Sequence, residues 1–226
     1  RFMSIFSILF GAGVILFTQR IEAKGKKAFG LHYKRLFWLL LFGFVHAYLI
    51  WHGDILVAYA ICGGLVYFFR KSSARKLFVF SAIFFLIPIG FNALTYYGMP
   101  SDQLENIYSF FNPSTQEIAK QTEAMLGSYA DQVPLRVKEA IMLQTLAFMI
   151  EIFWRTMSMM LLGMLLYKTG ILSAEKSHSF YLKMMAIGFV VGLIFSGFGL
   201  YQSYATQWKG AYVMNIGANY KFVSGV

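Results

Sequence analysis

The sequence has little charge, few prolines and almost no cysteine. Charged residues make up 13% of its 226 residues, about half the ~25% of a soluble domain, so a soluble globule of this size is excluded. A single cysteine excludes an internal disulfide framework. The 20 glycines show no collagen period, and a hydrophobic content of 58% excludes intrinsic disorder. What remains is a polytopic membrane protein.

Long apolar runs are what the sequence has in place of charge. A helix needs about 20 apolar residues to cross the hydrocarbon core, and six runs come close to or exceed that length. The fold class predicted is therefore an all-α, polytopic transmembrane helix bundle that forms one domain over residues 1–226, as an internal piece of a longer chain. The six predicted spans are Phe2–Gln19, Leu36–Gly53, Ile55–Phe69, Leu77–Ser101, Ala140–Tyr167 and Met184–Trp208.

The net charge of +10 is carried mainly by short connections between the apolar runs. Residues 20–35, 70–76 and 168–183 are rich in Lys and Arg, and alternation of the spans places all three on one side of the membrane. This asymmetry predicts that they are cytoplasmic. The turn 51–54 and the long connection 98–138 then face outward. A basic distribution of this kind does not favour nucleic-acid binding.

The outward connection 98–138 has a helical pattern of its own. Leu104, Ile107, Tyr108 and Phe111 fall on one helical face, and Ser114 precedes Glu117 with the spacing of a capping box. We expect short amphipathic helices on the outer membrane surface or over a cavity. A solvated connector is an equally good reading of a loop of this length.

Glu151 and Arg155 are charges inside a predicted span. Their spacing of four residues places them on one helix face, where they can pair. Ionisable groups in a span usually face the bundle interior and serve function, so both are candidate substrate-binding residues. The alternative is a structural ion pair or two side chains that reach the membrane surface.

The hairpin between the second and third spans concentrates groups suited to acid–base chemistry. His46, His52 and Asp54 are the candidate catalytic residues, because a general base needs an imidazole or carboxylate beside a substrate hydroxyl. Tyr59 lies just below as a candidate substrate-binding residue. Asp54 is also well placed to cap the third helix. No pair of histidines has a helical ligand spacing, so no metal is predicted.

The two remaining histidines and two amides receive simpler interpretations. His32 and His178 fall in the connections predicted to be cytoplasmic, where we expect them to be solvated or to meet lipid headgroups. Asn92 and Gln144 lie within predicted spans, and we expect them to bond to neighbouring helices.

Several stretches resemble a bacterial family. They are Phe6-Ser-Ile-Leu-Phe-Gly-Ala-Gly, the block from Arg35 to His46 followed by Gly53-Asp54-Ile-Leu, and Leu161-Leu-Gly-Met-Leu-Leu-Tyr. This family is the YeiB-like group, labelled domain of unknown function 418. The resemblance implies an integral protein of the bacterial inner membrane with more spans than this chain contains. It also implies a distant similarity to transmembrane acyltransferases, whose early-span histidine has no matched position here.

Three functions follow as hypotheses. The first is an acyltransferase, with acyl-CoA as a donor substrate from the cytosol, no bound cofactor, and a periplasmic or lipid acceptor at the outer face. His46, His52 and Asp54 would act at the outer face, and Arg155 would contact the substrate from nearer the membrane midplane. The second is a transporter or exporter of a small or lipid-like solute whose path Glu151 and Arg155 would line. The third is a non-enzymatic membrane scaffold.

Overall fold

The fold is helical throughout the described residues, which are 2–109 and 113–225 of a computed structural model. No strand occurs in that part of the chain. The all-α prediction is therefore confirmed. The elements are α1 (Phe2–Glu22), α2 (Ala28–Val45), α3 (Leu56–Val66), α4 (Ala74–Gly98), α5 (Ser101–Ser109), α6 (Thr115–Leu126), α7 (Tyr129–Met142), α8 (Phe153–Lys168), α9 (His178–Ala205), α10 (Gly210–Tyr212) and α11 (Ala218–Ser224).

Wider π-helical turns interrupt this helical chain. One follows α2 directly over His46–Ile50, and a ten-residue segment, Leu143–Ile152, joins α7 to α8. A third, Val213–Gly217, joins α10 to α11. Such turns are rare and often lie at functional sites. Apolar periodicity alone gave no sign of them, because they keep the helix continuous while changing the direction of its side chains.

Five of the described helices are long and apolar enough to cross a membrane, which describes a multi-pass membrane protein. They correspond to the first, second, fourth, fifth and sixth predicted spans. Their ends differ from the predicted ones by up to 11 residues, at the start of the continuous helix Tyr129–Lys168. The third predicted span, Ile55–Phe69, is helical over Leu56–Phe69, one residue less than predicted, and is shorter than the five long helices. It consists of the 11-residue α3 and a 3₁₀ turn of three residues, Tyr67–Phe69. At about 1.5 Å per residue, this segment falls short of a ~30 Å hydrocarbon core.

The chain divides into two compact units. The first unit comprises Phe2–Phe85 with Glu123–Glu175, and the second comprises Leu86–Thr122 with Lys176–Val226. All of the candidate site residues belong to the first unit. The single domain over residues 1–226 stays a prediction.

Close packing of α1 on α8 forms the centre of the first unit. A β-carbon on Gly11 would collide with the backbone carbonyl of Met160, and one on Gly163 would collide with that of Ile8. Glycine at both positions lets the two backbones approach, as small residues do in membrane helix pairs. Buried methionines and aliphatic residues fill the surrounding core, among them Ile15, Met157 and Met164.

Amide side chains link elements of the second unit. Asn92 on α4 donates to the side-chain oxygen of Asn219 at 3.0 Å, and Asn219 donates to the Ile89 carbonyl at 3.1 Å. Apolar surroundings leave these amides few other partners. The expectation that Asn92 bonds to another helix is confirmed.

Three short helices, α5, α6 and α7, occupy the connection predicted to face outward. Leu104 is buried on α5, Ile107 is exposed, and Phe111 lies outside the described residues. Ser114 accepts a hydrogen bond from the Glu117 backbone N–H at 3.3 Å. The reciprocal capping box begins α7 instead, between Ser128 and Asp131. Whether these helices lie on the outer surface stays a prediction.

Candidate functional site

His46 and Asp54 form the centre of the candidate site. The His46 ring donates through Nδ1 to Asp54 Oδ1 at 2.9 Å, and the Asp54 side chain is only 1% exposed. The His46 side chain is 35% exposed, so its ring remains accessible. A buried carboxylate that binds one imidazole nitrogen fixes the ring's orientation and tautomer. Nε2 is then the nitrogen that carries a lone pair and can accept a proton.

Asp54 has a second role in the same place. Its Oδ2 accepts the backbone N–H of Val57 at 2.8 Å, at the start of α3. The predicted capping role and the predicted catalytic role of Asp54 are thus compatible, since each uses a different carboxylate oxygen.

A close approach of α2 to α3 brings the two side chains together. A β-carbon on Gly43 would lie 2.8 Å from the Val57 backbone nitrogen, so a larger residue would separate the two helices. His46 follows three residues later, where the π-helix begins.

His52 does not join His46 and Asp54. Its Nδ1 lies 2.8 Å from Glu139 Oε2 on α7, and both side chains are partly exposed. Because the turn lies against α7, the nearest carboxylate to His52 is Glu139 rather than Asp54. His46 and Asp54 thus form one dyad, and His52 and Glu139 form a separate pair. That His46, His52 and Asp54 act on one substrate stays a prediction.

Helix α7 also binds the backbone that carries His46. Arg136 donates to the carbonyls of Ile50 at 2.7 Å and Leu49 at 3.2 Å, and the Tyr129 hydroxyl donates to Leu49 as well. The last carbonyls of a helix have no partner within it. These side chains supply partners at the end of the His46–Ile50 segment, which the sequence pattern did not reveal.

Arg155 and Glu151 approach one another as their spacing predicted, at 3.7 Å between Nη1 and Oε1. Their environments differ, since the Arg155 side chain is 17% exposed and that of Glu151 is 45% exposed. Arg155 also donates to Ser4 Oγ at 3.3 Å on α1. The interior position predicted for both therefore holds for Arg155 alone. Glu151 lies one residue before the end of the π-helical segment Leu143–Ile152, and nearly half of its side chain is exposed.

Tyr59 connects α3 to the beginning of α1. Its hydroxyl donates to the Met3 carbonyl at 2.8 Å and accepts from Ser7 Oγ at 3.0 Å. The residue is 5% exposed. The hydrogen bonds of this hydroxyl are thus made within the protein. The predicted contact of Tyr59 with substrate can involve its ring rather than its hydroxyl.

A small cavity lies beside the dyad. It has a volume of about 130 Å³ and is lined by Asp54, Gln144 and apolar residues that include Phe148. Gln144 accepts from the Tyr48 hydroxyl at 3.1 Å, as a bond to a neighbouring helix predicts. Its Nε2 is buried and has no hydrogen-bond partner among the described residues. The cavity therefore has room and polar groups for a few water molecules or a small polar group.

His32 was expected to be solvated and is instead 3% exposed. Helix α2 begins at Ala28, earlier than the apolar run suggested, and carries His32 onto α3. There its Nε2 lies 3.1 Å from the Gly63 carbonyl, and its ring stacks on Tyr67. A histidine inside a longer helix is buried by packing, which hydropathy cannot indicate.

Three curated bacterial proteins are similar to this chain. The chain is 43% identical over 83 residues to the uncharacterized protein YxaH of Bacillus subtilis, covering 37% of the chain and 21% of that protein. It is 26% identical over 197 residues to the uncharacterized protein YeiB of Escherichia coli, covering 85% of the chain and 49% of that protein. An uncharacterized 39.9 kDa protein of Bacillus acidopullulyticus is 42% identical over 71 residues, covering 31% of the chain and 20% of that protein.

The similarity to YeiB extends over most of the chain and supports the resemblance to YeiB-like proteins. No family model and no solved structure matches the chain. The chain spans half or less of the length of these curated relatives. None of their names states an activity.

Proposed function

We propose that this chain is the membrane portion of a YeiB-like acyltransferase of the bacterial inner membrane. The observation that carries the proposal is the His46–Asp54 dyad, in which a buried carboxylate binds Nδ1 of an accessible imidazole. This is the arrangement of a general base held by an orienting acid. The donor proposed is cytosolic acyl-CoA, and the acceptor is a hydroxyl or amine at the outer face.

The reaction follows from the free nitrogen of His46. Nε2 takes the proton of the acceptor hydroxyl or amine as the acceptor attacks the thioester carbonyl. The carbon–sulfur bond breaks, the acyl group is left on the acceptor, and coenzyme A leaves as its thiol after receiving the proton. Asp54 remains ionised and stabilises the imidazolium that forms between these steps.

Arg155 and Tyr59 receive supporting roles in the proposal. Arg155 is the cation proposed to stabilise the developing oxyanion, and its largely buried position strengthens such an interaction. The ring of Tyr59 contributes an apolar wall to the substrate site. His52 and Glu139 are proposed to hold the turn to α7 rather than to take part in proton transfer.

The test uses the full-length protein in inverted membrane vesicles supplied with radiolabelled acetyl-CoA or palmitoyl-CoA. We expect label in a vesicle lipid or glycan, and we expect His46→Ala to reduce the transfer by about 10²–10⁴-fold, the usual contribution of a general base. His178→Ala is the matched control, because His178 is exposed on α9.

Each negative outcome has a different meaning. If the intact protein neither binds nor consumes acyl-CoA, the acyltransferase is refuted and the transporter hypothesis takes its place. If label is transferred equally by His46→Ala and the unmodified protein, the enzyme stands and the base lies outside this dyad.

A further inference from the structure

A wide apolar groove lies in the first unit, and neither His46 nor Asp54 lines it. It has a volume of about 790 Å³ and is bounded by α1, α2 and the beginning of α3. This size is within the range of small-molecule sites, which run from about 300 to 1,000 Å³. Its walls are almost entirely apolar and include Phe10, Leu39 and Phe42. Such walls suit an alkyl chain and would desolvate a polar ligand without compensation.

One end of the groove is cationic. Arg35 and His32 line it there, and the Arg35 guanidinium lies 4.1 Å from the ring centre of Phe17. Arg35 itself is exposed. The basic connection 20–35 adds Arg20, Lys24 and the neighbouring lysines at the same end of α1 and α2. An anion is therefore attracted to this end and to no other part of the groove wall.

The groove runs along the helices, in the direction of a lipid chain. It extends from His32 to Phe42 on α2 and from Val14 to Phe6 on α1, or about 12–15 Å at 1.5 Å per residue. Gly13 opens one wall, since a β-carbon there would meet nothing within 4 Å. A larger side chain at this position would therefore narrow the groove.

We propose that this groove binds one acyl chain of an anionic phospholipid from the leaflet on the basic side of the membrane, with its phosphate at Arg35. The acyl chain of such a lipid would pack against the apolar wall, and its phosphate would bind at the cationic end. An additional apolar helix would pack against the wall but would supply no anion for Arg35. The inference does not depend on acyl transfer, and the bound chain would fill the apolar space whose far end reaches Ile55, next to Asp54.

The test is native mass spectrometry of the purified full-length protein with phosphatidylglycerol or phosphatidylcholine of identical chains. We expect phosphatidylglycerol to bind about fivefold more tightly, the effect of roughly one surface charge on an anionic lipid. Arg35→Gln should remove this preference. Gly13→Leu should weaken binding of both lipids, whereas the control Gly188→Leu on α9, where a β-carbon also meets nothing within 4 Å, should leave binding unchanged.

Two results of these binding measurements would overturn the proposal. Equal lipid affinity of Gly13→Leu and Gly188→Leu would refute occupation of the groove, and equal binding of the two lipids by the unmodified protein would refute the headgroup site.

A photoreactive phosphatidylglycerol provides a measurement that needs no variant. Adducts concentrated on Phe6–Val14 and Leu39–Phe42 support the site. Adducts that are spread evenly over bilayer-facing helices contradict the site. An absence of adducts in the groove, because another segment of the full-length protein fills it, also contradicts the site.

Discussion

Each carboxylate oxygen of Asp54 accepts a hydrogen bond from a different group. Substitutions of Asp54 can therefore affect one contact without the other. Oδ2 caps α3 through the Val57 N–H, and Oδ1 fixes the tautomer of His46. Asparagine can accept the same backbone hydrogen bond through its carbonyl oxygen. Its amide, however, donates to His46 Nδ1, which forces the proton onto Nε2 and removes the base.

We therefore expect Asp54→Asn to retain nearly all thermal stability and to lower acyl transfer by about 10²–10⁴-fold. Asp54→Ala should lower both, with a loss of roughly 1–3 kcal/mol of stability because the buried partners are left unsatisfied. A thermal melt of each purified variant beside the vesicle assay separates the two effects. Equal transfer by Asp54→Asn and the unmodified protein would refute the tautomer argument.

Arg155 and Glu151 form an ion pair whose two side chains differ in exposure. Glu151 is nearly half exposed at a separation of 3.7 Å, so Glu151→Gln should cost only about 0–1 kcal/mol of stability. Arg155→Ala should cost more, roughly 1–3 kcal/mol, because it removes the hydrogen bond to Ser4 and the packing of a mostly buried stem. Detergent melting curves of the two variants measure the difference. A larger loss for Glu151→Gln would mean that the pair is buried as a unit.

At the scale of elements, the α1–α8 contact depends on two glycines that face opposing carbonyls. Gly11→Ala places a methyl group against the Met160 carbonyl and must push the helices apart. We expect a loss of about 1–3 kcal/mol, as for other overpacked contacts, measured as a lower midpoint of thermal unfolding. Gly13→Ala on the same helix is the control, since a β-carbon there meets nothing within 4 Å and alanine favours helix. An equal rise of the midpoint in both variants would show that helix propensity, rather than close packing, decides the effect.

At the scale of the whole molecule, the charge distribution predicts sidedness. In a Cys62→Ala background, a single cysteine at Lys26 should react with a membrane-impermeant thiol reagent only from the cytoplasmic side. A cysteine at Glu123 should react only from the periplasmic side, because the Lys- and Arg-rich connections remain in the cytoplasm. Both positions are exposed, so access is not limited by packing. Labelling of both from one side would contradict the topology.

Composition and hydropathy by themselves determined the helical class and the approximate position of each long helix, because a bilayer requires long apolar runs with internally bonded backbones. The spacing of four residues likewise predicted that Glu151 and Arg155 can pair. The third span was predicted to within one residue, but the apolar run did not show that its last three residues tighten into a 3₁₀ turn.

Only the tertiary structure decided which polar groups meet. His46, His52 and Asp54 are near neighbours in the sequence. In the structure, however, His46 pairs with Asp54, and His52 pairs with Glu139 on α7. Burial of His32 and the different exposure of Arg155 and Glu151 depend equally on neighbouring helices. Such partnerships are set by the direction and distance of side chains from separate elements. Residue type and spacing along one chain do not contain that information.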